Sequence, residues 1–418
     1  MSDIILASGR TALVGDQVDA SKSDRGFGVM LGAAGALLGA YIYMGLKTPL
    51  PGQSQDVAAG LQVERHEFST PDGLILRLKR YSNPDGTPVL FCHGFGGNGF
   101  EFDLPREDHN MAVHFARSGY DVWISSFRGC GLEPYDCEGG DWQHSIDHLA
   151  VYDAPTLVDG ITGVTGKKPF WIGHSMGGMV LYMYLQGVRF EGDWSVVSDP
   201  DLVTERNEKL MGGVAIASPP AMCWPEGHML EVMSGSSIGR SMLGMYVLVT
   251  RLRSLIAPRV RTGSAPRRYL GRHPRVIMAL ARSPLATLYY RPNIDADTAT
   301  SLVMLAGDDV SGRMSVQLSY SYLNRNFLQY FPMRFSEEPY DYTDNMRLIS
   351  LPLLFIAGGK DLMYSHGIKR YGYDRVASGQ KKYIELAGYG HTDLVMGRNV
   401  AQDVYWPILE WMREIGGR

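Results

Sequence analysis

The stretch Phe170-Trp171-Ile172, followed at once by Gly173-His174-Ser175-Met176-Gly177 and then by Gly178-Met179-Val180-Leu181-Tyr182, constrains this chain more than any other. A short apolar run reads as a buried strand, and the longer apolar run after it reads as a buried helix. Only a tight turn fits between them, with glycine two residues before and two after the serine. A serine on such a turn stands at the carboxyl end of a strand and at the N-terminus of a helix. Free N–H groups and the helix dipole there favour a developing negative charge. The Gly-x-Ser-x-Gly spacing therefore predicts a nucleophile elbow with Ser175 as nucleophile. The competing reading is a glycine-rich strand–helix turn carrying an inert serine.

The surroundings repeat the same alternation. Val63–Ser69 and Leu74–Tyr81, split by Pro71-Asp72-Gly73, read as a hairpin. Val89–Cys92, Asp121–Ser126, Phe170–Gly173 and Gly213–Ala217 read as strands. Met111–Ser118, Ile146–Gly163 and Gly177–Gln186 read as helices between them. The pattern stops near Ser218 and resumes with strands Leu353–Ala357 and Tyr383–Leu386 and a helix Val400–Glu414. Strands alternating with helices predict an α/β fold, a mostly parallel sheet with helices on both faces and a large inserted helical cap. The expected organisation is an N-terminal extension over 1–50, a core from 51–218 and 348–418, and the cap over 219–347. With 418 residues, 45% hydrophobic and 20% charged, the chain is neither disordered nor fibrous.

A serine is a weak nucleophile without a base. On a fold of this kind the partners follow in the order Ser, acid, His. Asp361 lies just past the strand Leu353–Ala357, and His391 just past Tyr383–Leu386. Both positions fall at strand carboxyl ends, as Ser175 does. His391 would take the serine proton, and Asp361 would orient the imidazole. Separately, each residue also suits a turn or a surface loop. Asp393 competes as the acid but is only two residues from His391. The strand Val89–Cys92 ends in His93-Gly94-Phe95-Gly96-Gly97, so the oxyanion-hole amides are expected from Met176 and Phe95, with Gly96 second. Gly94-x-Gly96-x-x-Gly99 also matches a dinucleotide fingerprint, with Arg128 placed to meet an NADP phosphate. The ribose-binding acid that should close the next strand is missing, which weighs against that alternative.

Other features carry less. His144 and His148 are spaced i, i+4, without a third ligand, which suits a surface or helix-cap role better than a metal. Four cysteines form no C-x-x-C pair, and Cys130 and Cys137 read as free thiols unless the compartment is oxidising. No cofactor and no metal are expected. A net charge of −4 and the lack of any module signature exclude nucleic acid as the expected partner. From Arg240 to Arg291 there are eleven arginines, no lysine and no acidic residue. These suit either a solvated cap surface or a lid that approaches an anionic lipid interface. Twenty-one methionines suit core packing or an adaptable apolar pocket. Residues 26–46 are uncharged over 21 positions but include six glycines. They read as a membrane anchor or as a packed or oligomer-forming helix. The compartment stays open, with membrane-associated or cytoplasmic placement ahead of secretion.

Taken with the elbow and the order Ser175, Asp361, His391, further stretches resemble the α/β-hydrolase superfamily and, within it, the acid lipases of gastric and lysosomal type. Val63-Glu64-Arg65-His66-Glu67-Phe68-Ser69-Thr70-Pro71-Asp72-Gly73 is similar to the opening of those enzymes. Gly119-Tyr120-Asp121-Val122-Trp123 with Arg128-Gly129, and Ser145–Pro155, continue the similarity. Gly358–Leu362 and Gly390–Asp393 fit their acid and histidine positions. Here Met follows the elbow serine where that family usually has Gln, and the His-Gly loop is glycine-rich rather than leucine-rich. The resemblance implies a serine hydrolase, with lipophilic carboxylic esters such as acylglycerols or steryl esters as substrate. An acyltransferase on the same triad, or a non-catalytic membrane-associated binding protein on the same fold, is the alternative.

Overall fold

A computed structural model describes residues 58–192, 195–223, 236–270, 276, 288–330, 338–362 and 367–417. The segment 26–46 and the rest of the N-terminal extension lie outside them. Among the described residues no helix is long and apolar enough to cross a membrane.

The strands, in chain order, are β1 (Val63–Ser69), β2 (Ile75–Tyr81), β3 (Pro88–Cys92), β4 (Asp121–Ser125), β5 (Phe170–His174), β6 (Val188–Glu191), β7 (Ser195–Ser198), β8 (Gly212–Ile216), β9 (Arg259–Val260), β10 (Val310–Ser311), β11 (Leu353–Gly358) and β12 (Lys381–Leu386). Eight of them form one sheet in the order β1-β2-β4-β3-β5-β8-β11-β12. β1 and β2 are the expected hairpin, with Val63 opposite Tyr81 and Ser69 opposite Ile75. β2 meets β4 antiparallel, and the other neighbours run parallel. Every residue of β3, β4, β5, β8 and β11 is buried, as strands covered on both faces require.

The helices used below are α1 (Met111–Arg117), α2 (Ala154–Thr165), α3 (Met176–Leu185), α4 (Pro200–Lys209), α5 (Ser237–Ile256), α6 (Ser264–Leu270), α7 (Ala296–Ser301), α8 (Gly312–Asn324), α9 (Asp393–Met396) and α10 (Trp406–Gly416). Alternate strand residues point to opposite faces. Leu90, Trp171, Ala215 and Phe355 pack with α2 and α3 on one face. Val89, Phe91, Ile172, Val214 and Leu354 pack with α1 and α10 on the other. α3 is buried along its whole length, which is why its sequence is apolar all round.

Between β8 and β11 the chain leaves the sheet and carries α5 to α8, with α5 packed against α8. Asp147, in the helical run that enters α2, fastens this excursion to the core. Its carboxylate accepts from Ser145 Oγ at 2.9 Å, Gln317 Nε2 at 2.8 Å, Tyr330 N at 2.8 Å and Tyr342 Oη at 2.7 Å. Burial raises the Asp147 pKa, and these four neutral donors oppose the rise.

Candidate active site

Ser175 joins β5 to α3 with φ 50° and ψ −115°, a backbone conformation that L residues rarely hold. The flanking glycines make it feasible. A Cβ on Gly173 would lie 2.4 Å from Gly177 C and Gly178 N, and one on Gly177 would lie 2.0 Å from the Cys92 carbonyl oxygen. The elbow is pinned to the sheet by Ser175 N, which donates to Ile216 O of β8 at 2.8 Å.

His391 lies between β12 and α9, and Asp361 follows β11. His391 Nδ1 and Asp361 Oδ2 are 2.8 Å apart, and both residues are buried. Burial by itself would disfavour the imidazolium, but the Asp361 carboxylate outweighs it and raises the His391 pKa. Ser175 and His391 both line one cavity of about 660 Å³. Three residues separated by up to 216 positions are thus gathered at the carboxyl edge of one sheet, where crevices form in such folds. Asp393 is engaged elsewhere. Its carboxylate accepts from Gly390 N, Tyr290 N and Asn293 Nδ2 at 2.7–3.1 Å.

The loop after β3 faces the elbow. Gly94 N donates to Glu101 Oε2 at 2.7 Å, and Gly97 N to Gly94 O at 3.1 Å. That leaves the amides of Phe95 and Gly96 between them. His93 braces the loop from below. Its Nε2 accepts from Phe127 N at 3.0 Å, so the proton sits on Nδ1 and goes to Gly94 O at 2.8 Å. Burial lowers the His93 pKa, consistent with this neutral form. The loop is also tied to the excursion: Asp308 N donates to Gly96 O at 2.6 Å, and Asn98 Nδ2 to Asp308 Oδ2 at 3.0 Å and Leu305 O at 2.8 Å.

The cavity wall is mostly apolar. Met176, Met179, Met222, Leu302, Val303 and Leu318 contribute to it, and Phe95 stands exposed beside it. Glu101 brings a carboxylate to this wall, 5% exposed and paired with His174 Nδ1 behind the serine. Its sequence signal was slight: an acidic residue between two phenylalanines, Phe100 and Phe102, just after the glycine-rich loop.

The remaining sequence candidates have structural duties. Arg128 binds Asp72 through both terminal nitrogens and Asp153 through Nε at 2.8 Å, which leaves it unavailable to an NADP phosphate. His148 is half of a capping box with Ser145, and burial drives its pKa down to about 3. His144 is buried rather than on the surface, and burial holds its pKa well below the usual value. Among the described residues no group of His, Cys, Asp and Glu side chains is placed to hold a metal ion. All four cysteines are free, and Cys130 and Cys137 meet through their backbones, Cys137 N donating to Cys130 O at 2.8 Å. Two of the clustered arginines are internal links: Arg259 to Asp309 at 2.7 Å and Arg267 to Asp308 at 3.3 Å.

A largely parallel sheet with a strained serine elbow at its carboxyl edge defines a hydrolase-type α/β architecture. The chain belongs to the alpha/beta hydrolase family, whose model matches residues 89–402. It is 32% identical over 140 residues to "Triacylglycerol lipase 2" of Arabidopsis thaliana, covering 29% of this chain and 32% of that protein. It is 31% identical over 134 residues to the human "Gastric triacylglycerol lipase", covering 28% and 33%. The chain spans about a third of the length of the curated relatives it matches. Among solved structures, that of DcsB in complex with its substrate analogue aligns with TM-score 0.53 at 15% identity, covering 85% of this chain and all of the other, a likeness of fold alone.

Proposed function

We propose that this protein hydrolyses lipophilic carboxylic esters through an acyl-enzyme on Ser175. The observation that carries the reading is the 2.8 Å contact of His391 with Asp361 on the same cavity as the strained Ser175 elbow. With Nδ1 donating to Asp361, Nε2 of His391 is the nitrogen left to take the Ser175 proton. Ser175 Oγ bonds to the ester carbonyl carbon, and the amides of Met176 and Phe95 receive the oxyanion. Collapse breaks the bond to the alcohol, which leaves with the proton from His391. Water then repeats the sequence in reverse, and His391 returns to its neutral form. The apolar wall favours an acyl chain over a polar one.

In this reading residues 219–347 act as a cap over the site, and α5 is its lipid-facing part. Met245 is 60% exposed and Ile256 88%, with Met242, Tyr246, Leu248, Val249, Leu252 and Leu255 also exposed. An outward apolar face in a segment rich in arginine and without acidic residues suits the surface of an anionic lipid aggregate.

The test is turnover of p-nitrophenyl esters from acetyl to palmitoyl by wild type and Ser175→Ala. The expected result is serine-dependent release that improves with chain length. Equal turnover by Ser175→Ala would refute the acyl-enzyme. Sedimentation with vesicles of phosphatidylglycerol or phosphatidylcholine tests the cap: selective binding to the former, lost in Leu252→Glu/Ile256→Glu, is expected.

A further inference from the structure

Glu101 and His174 form a buried pair that the chemistry above does not use. Glu101 spends both carboxylate oxygens on the two walls of the reaction centre. Oε2 accepts from Gly94 N, in the loop that carries Phe95, at 2.7 Å. Oε1 pairs with Nδ1 of His174, the residue immediately before Ser175. The two walls are in close packing: a Cβ on Gly94 would lie 3.2 Å from both His174 Nδ1 and Ser175 Cβ, and one on Gly97 would lie 3.1 Å from Glu101 Oε2. His174 extends the chain of contacts. Its Nε2 is 3.3 Å from the His391 carbonyl oxygen, and the two imidazole rings lie 4.8 Å apart.

A buried carboxylate at this place needs a reason. Negative charge beside a developing oxyanion opposes the reaction, and burial without a partner is costly. Burial pushes the Glu101 pKa up, but His174 and the Gly94 amide, which both face its carboxylate, outweigh that and hold it below the usual value. What remains is geometry. The oxyanion hole is built from two backbone amides, Phe95 on one loop and Met176 on another, and no strand contains both. Their separation is set by whatever joins the loops, and Glu101 joins them with one side chain.

We propose that Glu101 is a positioning residue, whose carboxylate clamps the Gly94 amide to His174 and so holds the two oxyanion donors in register across the cavity. The proposal rests on the Ser175 reading given above. Its second consequence concerns His391, which is faced by Asp361 from the β11 loop, Glu101 from the β3 loop, His174 from the elbow and Asp393 from its own loop. Glu101 adds to the charges that raise the His391 pKa, after Asp361. Removing it lowers the pH at which His391 becomes a base.

The experiment compares wild type with Glu101→Gln and His174→Gln on a soluble short-chain p-nitrophenyl ester, together with inhibition by an aryl trifluoromethyl ketone. That ketone adds to Ser175 and places an oxyanion in the same hole. For Glu101→Gln the expected result is kcat lower by about 10- to 100-fold with KM changed less than about twofold, and ketone affinity lower by a similar factor. The acid limb of kcat/KM should move to lower pH. The double variant should lose no more than the worse single one, because the two residues act as one clamp. Should Glu101→Gln fold poorly, His174→Gln opens the clamp from the other side and should show the same fall in kcat and ketone affinity. A Glu101→Gln enzyme with kcat and ketone affinity within about twofold of wild type would overturn the proposal. So would equal losses in kcat and thermal stability with no change in the acid limb. Failure of the underlying reading shows separately, as turnover by Ser175→Ala or as wild type that a fluorophosphonate does not label.

Discussion

Gly177→Ala is the sharpest test of the elbow, because it adds one methyl group and removes no functional atom. The new Cβ would stand 2.0 Å from the Cys92 carbonyl oxygen and 2.7 Å from its carbonyl carbon. Ordinary contact begins near 3.4 Å, so β3 and the start of α3 must separate by more than about 1 Å. Neither can swing away as a flexible side chain would, since Cys92 ends a central strand and α3 is buried throughout. Overpacking of this kind costs about 3 kcal/mol or more, the upper end of its usual range. With an unfolding entropy of about 2.1 cal/mol/K per residue over 418 residues, each kcal/mol is worth about 1 °C, so the melting temperature should fall by roughly 3–4 °C. The same displacement moves the Met176 amide relative to Phe95, and a shift of about 1 Å at a reacting centre costs on the order of a hundredfold in rate. The assay is kcat/KM on a soluble ester with calorimetric melting on the same preparation. Gly163→Ala is the control, an exposed glycine in α2 whose Cβ would meet nothing within 4 Å. It should leave activity unchanged and add about 0.5–1 kcal/mol. Gly177→Ala with wild-type melting and wild-type kcat/KM would refute the steric argument.

Asp361→Asn should leave the protein folded and KM nearly unchanged while lowering kcat by about 10³–10⁴, because an amide donating to Nδ1 moves the imidazole proton to the nitrogen that must accept from Ser175; steady-state kinetics on a soluble ester will show it. The base form of His391 is required, and its pKa is raised from 6.5, so kcat/KM should fall as pH drops through a value above 6.5, and a limb below 6.5 in a pH–rate profile would contradict this. Arg128→Met should cost about 3–5 kcal/mol in urea unfolding, since it leaves Asp153, fully buried, without its cation. Asp72→Asn, which strips only the half-exposed partner, should cost far less.

The sheet was legible because each core strand is a short apolar run set between helical segments, and the boundaries agree to within a residue or two, as at Val89–Cys92 against the observed Pro88–Cys92. What escaped the sequence reading lacked that contrast. β6 and β7 form a two-stranded hairpin of four residues each; Val188-Arg189-Phe190-Glu191 alternates, but over too short a run to stand out directly after the apolar helix α3. α4 is polar almost throughout, although Asp199 and Pro200 mark its start: the Asp199 side chain caps Asp201 N. The candidate triad was legible by order and by position after strand ends, because parallel topology gathers such loops without any local signal between them. Glu101 was not. Its partners are a backbone amide seven residues back and a histidine 73 residues on, and nothing in the spacing of residues announces a pair that only the sheet order creates.

The Asp147 carboxylate also bears on how the chain is made. It gathers a donor two residues away, in Ser145, and three that lie 170, 183 and 195 positions later. At about 5–20 residues per second on the ribosome, the acceptor is synthesised on the order of ten seconds or more before those donors. During that interval a carboxyl destined for the interior must stay hydrated, so the start of the Ile146–Thr165 helical run has reason to stay open while the chain is unfinished. Closure of the helical excursion over the sheet is then a late event of biogenesis, timed by the arrival of Gln317, Tyr330 and Tyr342.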